Sequence, residues 1–260
     1  MYYLSSCSIV KNEFPYIIEF YKIHKALGVE HFIFYDRSTE GPPLTEIFKG
    51  YNDVEVFHFP EPNRHAQAWQ AGVKYMSGKT KWMQMIDIDE VVVPMKTSDI
   101  KEMLQPYEKY ASLGLNWHTF GSNGLEVEPD IFTSSYEAYT KRSKNTELIN
   151  NHIQSIIQPD RVEQLVWHDP HHPIVKPGET QINERFQQFK GPFNIPPSQD
   201  VGFIAHYYTR SRAYWGKKIA KQRADTGTPG GTMADFDHHQ TYMNAVEDFT
   251  VKNIWEAAAK

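Results

Sequence analysis

One cysteine, no long apolar run, no surplus of basic charge and no internal repeat or low-complexity tract mark this 260-residue sequence. Cys7 alone cannot form an intramolecular disulfide or build a cysteine zinc site. A net charge of -5 speaks against a nucleic-acid partner held by a general basic surface. The opening residues Met1, Tyr2, Tyr3, Leu4, Ser5 and Ser6 lack the basic and apolar regions of a secretory signal, and no stretch approaches membrane-span length. A soluble protein of a reducing compartment, cytoplasmic by default, is the expectation. No composition break divides the chain, which is long enough to bury a sizeable core, so one domain over 1–260 is expected. Aromatic residues are plentiful at 14%; most must fill that core, while exposed tyrosine and tryptophan would suit sugar and nucleotide rings.

Apolar runs and turn signals alternate through the first 95 residues. Residues 2–10 read as a strand ended by Lys11, Asn12 and Glu13. A helix is predicted from about Pro15, with Ile17, Ile18, Tyr21, Ile23 and Leu27 near helical spacing and Gly28 as its stop. A strand at 31–35 delivers Asp36, Arg37, Ser38 and Thr39 to a loop. A helical piece at 44–51 leads to a strand at 54–59, which Pro60 to Asn63 break, and a helix at 64–76 leads to an apolar strand at 82–86. This order predicts parallel βαβ units, whose ligands bind beyond the carboxyl ends of the strands. Farther on, the pattern predicts a helix at 100–110, a strand at 112–117 and a basic helix or arm at 136–144. Short strands at 155–157 and 164–167, a loop or lid rather than core at 173–197, a last strand at 201–204, and helices at 213–223 and 235–251 follow.

The centre of this pattern is the run Asp87, Ile88, Asp89, Glu90, followed at once by Val91, Val92 and Val93. Carboxylates leave water only when compensated, and a divalent cation is the common compensation for two that stand one residue apart. In an extended segment residues i and i+2 point the same way, so Asp87 and Asp89 can share one ion while Ile88 faces the core. The plain alternative is a solvated acidic turn.

The ordered set of motifs resembles glycosyltransferases with the GT-A fold, in particular glycosyltransferase family 92 and related bacterial family 2-like enzymes. The residues that carry the resemblance are Lys11-Asn12-Glu13, Tyr35-Asp36-Arg37-Ser38, Gln67, Asp87-Ile88-Asp89-Glu90, Trp117 with Phe120-Gly121-Ser122, Ser155-Ile156-Ile157-Gln158-Pro159, His168, His206-Tyr207, Arg210-Ser211 and Lys217. Val91 and Arg210 depart from the phenylalanine and lysine usual in the family. The resemblance implies an α/β, Rossmann-like mixed sheet flanked by helices, with a nucleotide-binding half over 1–95 and an acceptor-binding half with C-terminal helices over 96–260. It also implies a UDP-type sugar donor, Mn2+ or Mg2+ at a DXD motif, and inversion at the anomeric carbon.

On this reading Asp87 and Asp89 anchor the ion and a late histidine completes the sphere, His206 first and His168 as the runner-up. Asp36 accepts from the uracil or ribose, with Asn12 and Glu13 beside it, Arg64 and Gln67 line the diphosphate or base pocket, and Arg210 faces phosphates. Asp169 and Glu126 are candidates for the base that takes the acceptor's proton. Trp117 and the loop at 121–124 form an acceptor floor, and His171 and His172 are loop residues. The acceptor is expected to be a glycan, with membrane contact at the inner face if that glycan is lipid-linked. Two rival readings are a metal-dependent phosphohydrolase, which needs further acidic or histidine ligands near Asp87, and a non-catalytic carbohydrate-binding module.

Overall fold

The computed structural model describes residues 1–59, 65–130, 132–167, 169–220 and 230–258. In chain order the first half contains β1 (Tyr2–Val10), α1 (Phe14–Ala26), β2 (His31–Asp36), α2 (Leu44–Ile47), β3 (Val54–His58), α3 (His65–Met76), β4 (Thr80–Met85) and β5 (Glu90–Pro94). There follow α4 (Ile100–Leu104), β6 (Ser112–Thr119), α5 (Ser135–Ala138), β7 (Lys141–Arg142), β8 (Ile153–Ile157), β9 (Val162–Leu165), β10 (Pro173–Val175), β11 (Gln181–Asn183) and β12 (Gly202–His206). The chain then forms α6 (Arg212–Ala220), α7 (Met233–Met243), β13 (Val246–Glu247) and α8 (Thr250–Ala258).

One mixed sheet runs through both halves in the order β3-β2-β1-β4-β8-β6-β12-β5, with β11 also paired to β6. The β3-β2-β1-β4 part is parallel, as the strand-helix alternation predicts, and β8 and β5 run antiparallel to their neighbours. β1 is buried along most of its length because helices cover both of its faces. On one face Leu4 and Val10 join Ile17, Phe20 and Ile23 of α1; on the other Cys7 and Ile9 meet Trp69, Val73 and Met76 of α3. A Cβ on Gly72 would stand 2.5 Å from Cys7 Sγ, so only glycine lets α3 lie this close to β1. The parallel carboxyl ends therefore meet at one edge, with Val10 beside Asp36 in register.

The second half departs from the sequence pattern in several places. Residues 136–144 hold only the short α5 and then β7, which pairs antiparallel with β13. That pairing splits the helix predicted over 235–251, since Val246 and Glu247 are drawn into a ladder and Asp248 holds Arg142 Nε at 2.6 Å. The stretch predicted as a loop or lid contributes β11 to the main sheet, where Ile182 is fully buried and Asn183 bonds the buried Asn194 at 2.9 Å. Polar asparagines paired with one another hid that core from a hydrophobicity pattern. Helix α4 gives way to a 3-10 turn, Gln105–Tyr107, because Pro106 has no N–H to continue the ladder. The end of the helix predicted over 213–223 lies partly outside the described residues.

Burial pushes two core imidazoles, His24 and His118, down to about 4. An unfolded chain takes up those protons near pH 6.5, so between about pH 6.5 and pH 4 it binds more protons than the folded one, and stability falls as pH falls. Thermal unfolding should therefore show a lower Tm at pH 4.5 than at pH 7. In the variant His118→Phe, whose ring keeps the packing on Phe203 at 4.2 Å, part of that loss should disappear. An equal pH slope in both proteins would remove His118 from the account.

Candidate active site

After Met85 the chain leaves β4 and turns through Asp87, Ile88 and Asp89, and the Glu90 N–H donates to the Asp87 carbonyl at 3.1 Å before β5 begins. The two aspartates thus sit in a tight turn and not on an extended segment, so the simple i, i+2 argument does not describe them. Ile88 does face the core, at 5% exposure. β5 pairs antiparallel with β12 so that His206 lies opposite Glu90, and the Tyr207 N–H donates to the Asp89 carbonyl at 2.7 Å. The last residue of β12 is thereby clamped to the acidic turn.

Three carboxylates, an imidazole and an ammonium group converge there. Glu90 accepts from the Asp87 N–H at 3.1 Å through Oε2, and its Oε1 lies 3.5 Å from His206 Nδ1. His206 Nε2 stands 3.7 Å from Asp89 Oδ2, and Lys218 Nζ of α6 donates to that same oxygen at 2.9 Å and to the Tyr208 carbonyl at 3.0 Å. Burial, then the charge of Asp89, pushes the Asp87 carboxyl up to about 6, and burial with both aspartates pushes Glu90 well above its usual range. Burial opposes ionisation of Asp89 as well, but Lys218 and His206 hold it well below the ordinary value. Asp87, Asp89 and His206 are the oxygen and imidazole donors that a divalent ion would meet. Among the described residues, no three His, Cys, Asp or Glu side chains form a ready-made cage for one.

A buried indole joins this turn to a second group. The Trp117 ring meets His206 edge-on at 4.5 Å, stacks on His152 at 4.4 Å and meets His171 edge-on at 5.8 Å. His171 also packs edge-on to Trp69 of α3 and holds Asp169 Oδ1 with Nδ1 at 2.6 Å. His171, read from sequence as a loop residue, is therefore part of the site. Asp169, read from sequence as a candidate base, is engaged as its partner. Glu126 stays on the surface, its side chain 76% exposed and 3.9 Å from Arg212.

Around the ends of β1 and β2, Asn12 adopts φ 57° and accepts from the Thr39 and Glu40 N–H groups at 2.8 and 3.2 Å, while Asp36 accepts from the Ser38 N–H at 2.9 Å. Among the described residues, Gln67 of α3 keeps a buried Oε1 with no hydrogen-bond partner, and Arg37 is buried with Nε and Nη1 in the same condition. Glu13 reaches across to α6, 3.5 Å from Arg210 and 3.2 Å from the Tyr214 hydroxyl. Arg210 does not face an open phosphate pocket. It is buried, with its guanidinium 3.5 Å from the Tyr16 ring centre and 4.8 Å from that of Tyr214. The loop at 121–124 is tied into the fold: a Cβ on Gly121 would meet Asn244 Oδ1 at 2.4 Å, and Ser122 Oγ bonds Gln240 of α7 at 2.6 Å. Arg64 and His168 lie outside the described residues.

Sequence reasoning named Glu90 and Arg37 within motifs but gave them no role of their own, and it missed His171 and Lys218 as parts of the site. For Lys218 a signal existed. Tyr214 and Trp215 are the buried face of α6, and Lys218 follows them at i+4 and i+3, whereas Lys217, the residue matched by motif, is exposed.

A glycosyltransferase family 92 model matches residues 3–227. A glycosyltransferase family 92 protein of Arabidopsis thaliana is 25% identical over 199 residues, covering 67% of this chain and 32% of its own length. One from Ricinus communis is 23% identical over 189 residues, covering 68% and 32%. The chain thus spans about a third of the length of these curated relatives. Among solved structures, HddC from Yersinia pseudotuberculosis is similar at a TM-score of 0.35 and 13% identity, over 61% of this chain and 69% of that one.

Replacing Lys218 by methionine should leave the Asp89 carboxylate without its closest cation and cost about 1–3 kcal/mol in urea unfolding. Adding Asp89→Asn should recover most of that loss. Losses that simply add in the double variant would mean that the pair does not hold this turn together. With the model match extending over most of its length, the chain belongs to glycosyltransferase family 92.

Proposed function

We propose that the chain carries out glycosyl transfer on a GT-A fold, moving a sugar from a UDP-type nucleotide-sugar to a glycan acceptor with inversion at the anomeric carbon. The observation that carries this reading is the clamped turn at the carboxyl end of β4, where Asp89 faces His206 at 3.7 Å and Lys218 at 2.9 Å. Asp87, Asp89 and His206 would hold Mn2+ or Mg2+, with oxygens of the donor completing the sphere. Bound there, the ion would neutralise the charge that builds on a departing diphosphate. Lys218 brings a further positive charge to the same place.

The donor's nucleoside would lie along the ends of β1 and β2. Asn12 and Asp36 shape that loop through their backbone bonds, and the unpartnered atoms of Arg37 and Gln67 offer buried donors and an acceptor. Arg64, outside the described residues, keeps its sequence-based role of lining the diphosphate or base pocket. Glu13 would act at one remove, holding Arg210 and Tyr214 behind the turn. A reducing setting, cytoplasmic or at the inner face of a membrane for a lipid-linked acceptor, agrees with the free and buried Cys7. No described helix is long and apolar enough to cross a membrane. A two-metal phosphohydrolase has less support, because such a site needs more ligands than the described residues bring together.

Asp89→Ala should abolish metal-dependent release of UDP from a UDP-sugar while leaving the far-UV circular dichroism unchanged. In thermal shift the wild-type chain should be stabilised by UDP with Mn2+ more than by either alone. Undiminished turnover in the variant would dismiss the transferase reading. Stabilisation by free sugar without nucleotide would favour a binding module.

A further inference from the structure

Glycosyl transfer with inversion needs a group that takes the proton of the attacking hydroxyl, and the acidic turn supplies none. Both nitrogens of His206 face carboxylates, at 3.5 and 3.7 Å, so neither is open to an acceptor. Glu90 is fully buried, Glu126 stands out on the surface, and Asp169 is engaged by a histidine. His171 is differently placed. Its Nδ1 is held at 2.6 Å by Asp169, its Nε2 has no hydrogen-bond partner among the described residues, and its side chain is 24% exposed. A carboxylate on Nδ1 fixes the tautomer in which Nε2 carries a free lone pair.

We propose that His171 is the catalytic base of the transfer and that Asp169 is its positioning residue. The inference rests on the glycosyl-transfer reading above and goes beyond it, since it concerns the acceptor side. The geometry that supports it is the shared indole: Trp117 packs on His206 at 4.5 Å and on His171 at 5.8 Å, so one ring spaces the base from the group of the acidic turn. A sugar ring whose diphosphate lies at the turn would then lie along that indole, with its anomeric carbon towards the base. In the step itself the acceptor O–H gives its proton to His171 Nε2 while the acceptor oxygen bonds to the anomeric carbon. The bond from that carbon to the diphosphate oxygen breaks, and its electron pair leaves with the diphosphate. Asp169 steadies the imidazolium, which later releases its proton to water. His152, stacked on the other side of the contact, walls the ring without taking part.

The experiment compares wild type, His171→Gln and Asp169→Asn in UDP release from the UDP-hexose that the wild-type chain hydrolyses, with water or with sodium azide as acceptor. Azide is already an anion and needs no base, whereas water does. In His171→Gln, water-dependent release should fall by about 10²–10⁴-fold. Azide-dependent release and stabilisation by UDP with Mn2+ should stay near wild type. Asp169→Asn should fall less, with the same selectivity for water. Water-dependent release that stays at wild-type level in His171→Gln, or azide and water rates that fall together, would overturn the assignment. A failure of the underlying reading shows itself separately, in a wild-type chain that neither releases UDP nor is stabilised by it, and it would overturn both.

Discussion

The structure depends on how three neighbouring carboxylates, Glu90 buried and Asp87 and Asp89 half-buried, are held together at one turn. Isolated, each would cost several kcal/mol to bury, and together they repel. The chain resolves this by division of labour. Asp89 is held ionised by Lys218 and His206, while burial drives Asp87 and Glu90 towards their protonated forms. Two of those partners come from more than a hundred residues downstream, so the turn takes shape only when β12 and α6 have docked. On the proposed reading, such an arrangement would accept a further cation beside a diphosphate leaving group.

That dependence explains the plan of the sheet. The parallel strands β3, β2, β1 and β4 bring their carboxyl ends to one edge, where a nucleoside would lie. The antiparallel strand β5 then runs back beside β12, which returns His206 to the acidic turn in register with Glu90. Trp117, on the neighbouring β6, ties the two parts through its contacts with His206, His152 and His171. On the proposed reading, donor and acceptor functions would thus be arranged around one aromatic ring, which few substitutions could replace without moving both.

How much of this was legible in sequence follows from where the information lies. The first four strands and three helices are local: apolar runs of strand length, a proline in the first turn of α1 and Gly28 with φ 100° after it define them without help from elsewhere. The acidic run and His206 could also be picked out, because charged residues against strands stand apart from their surroundings. Long-range pairings were not legible. β11 is a polar strand made core by asparagine contacts, β13 exists only because β7 is there, and the aspartates occupy a turn that their spacing alone did not reveal. His171 belongs to a segment rich in turn residues, and only the fold shows that Trp69 and Trp117 form its walls.

The central claim is that the turn after β4 is a cation-dependent cradle for a diphosphate, and it can be tested by locating the ion. A crystal of the chain grown with UDP and Mn2+, with diffraction data taken near the manganese absorption edge, should show an anomalous peak between the diphosphate and the Asp87 and Asp89 carboxylates. A diphosphate bound elsewhere, or bound at the turn with Lys218 as its only cation and no anomalous peak near either aspartate, would contradict the account.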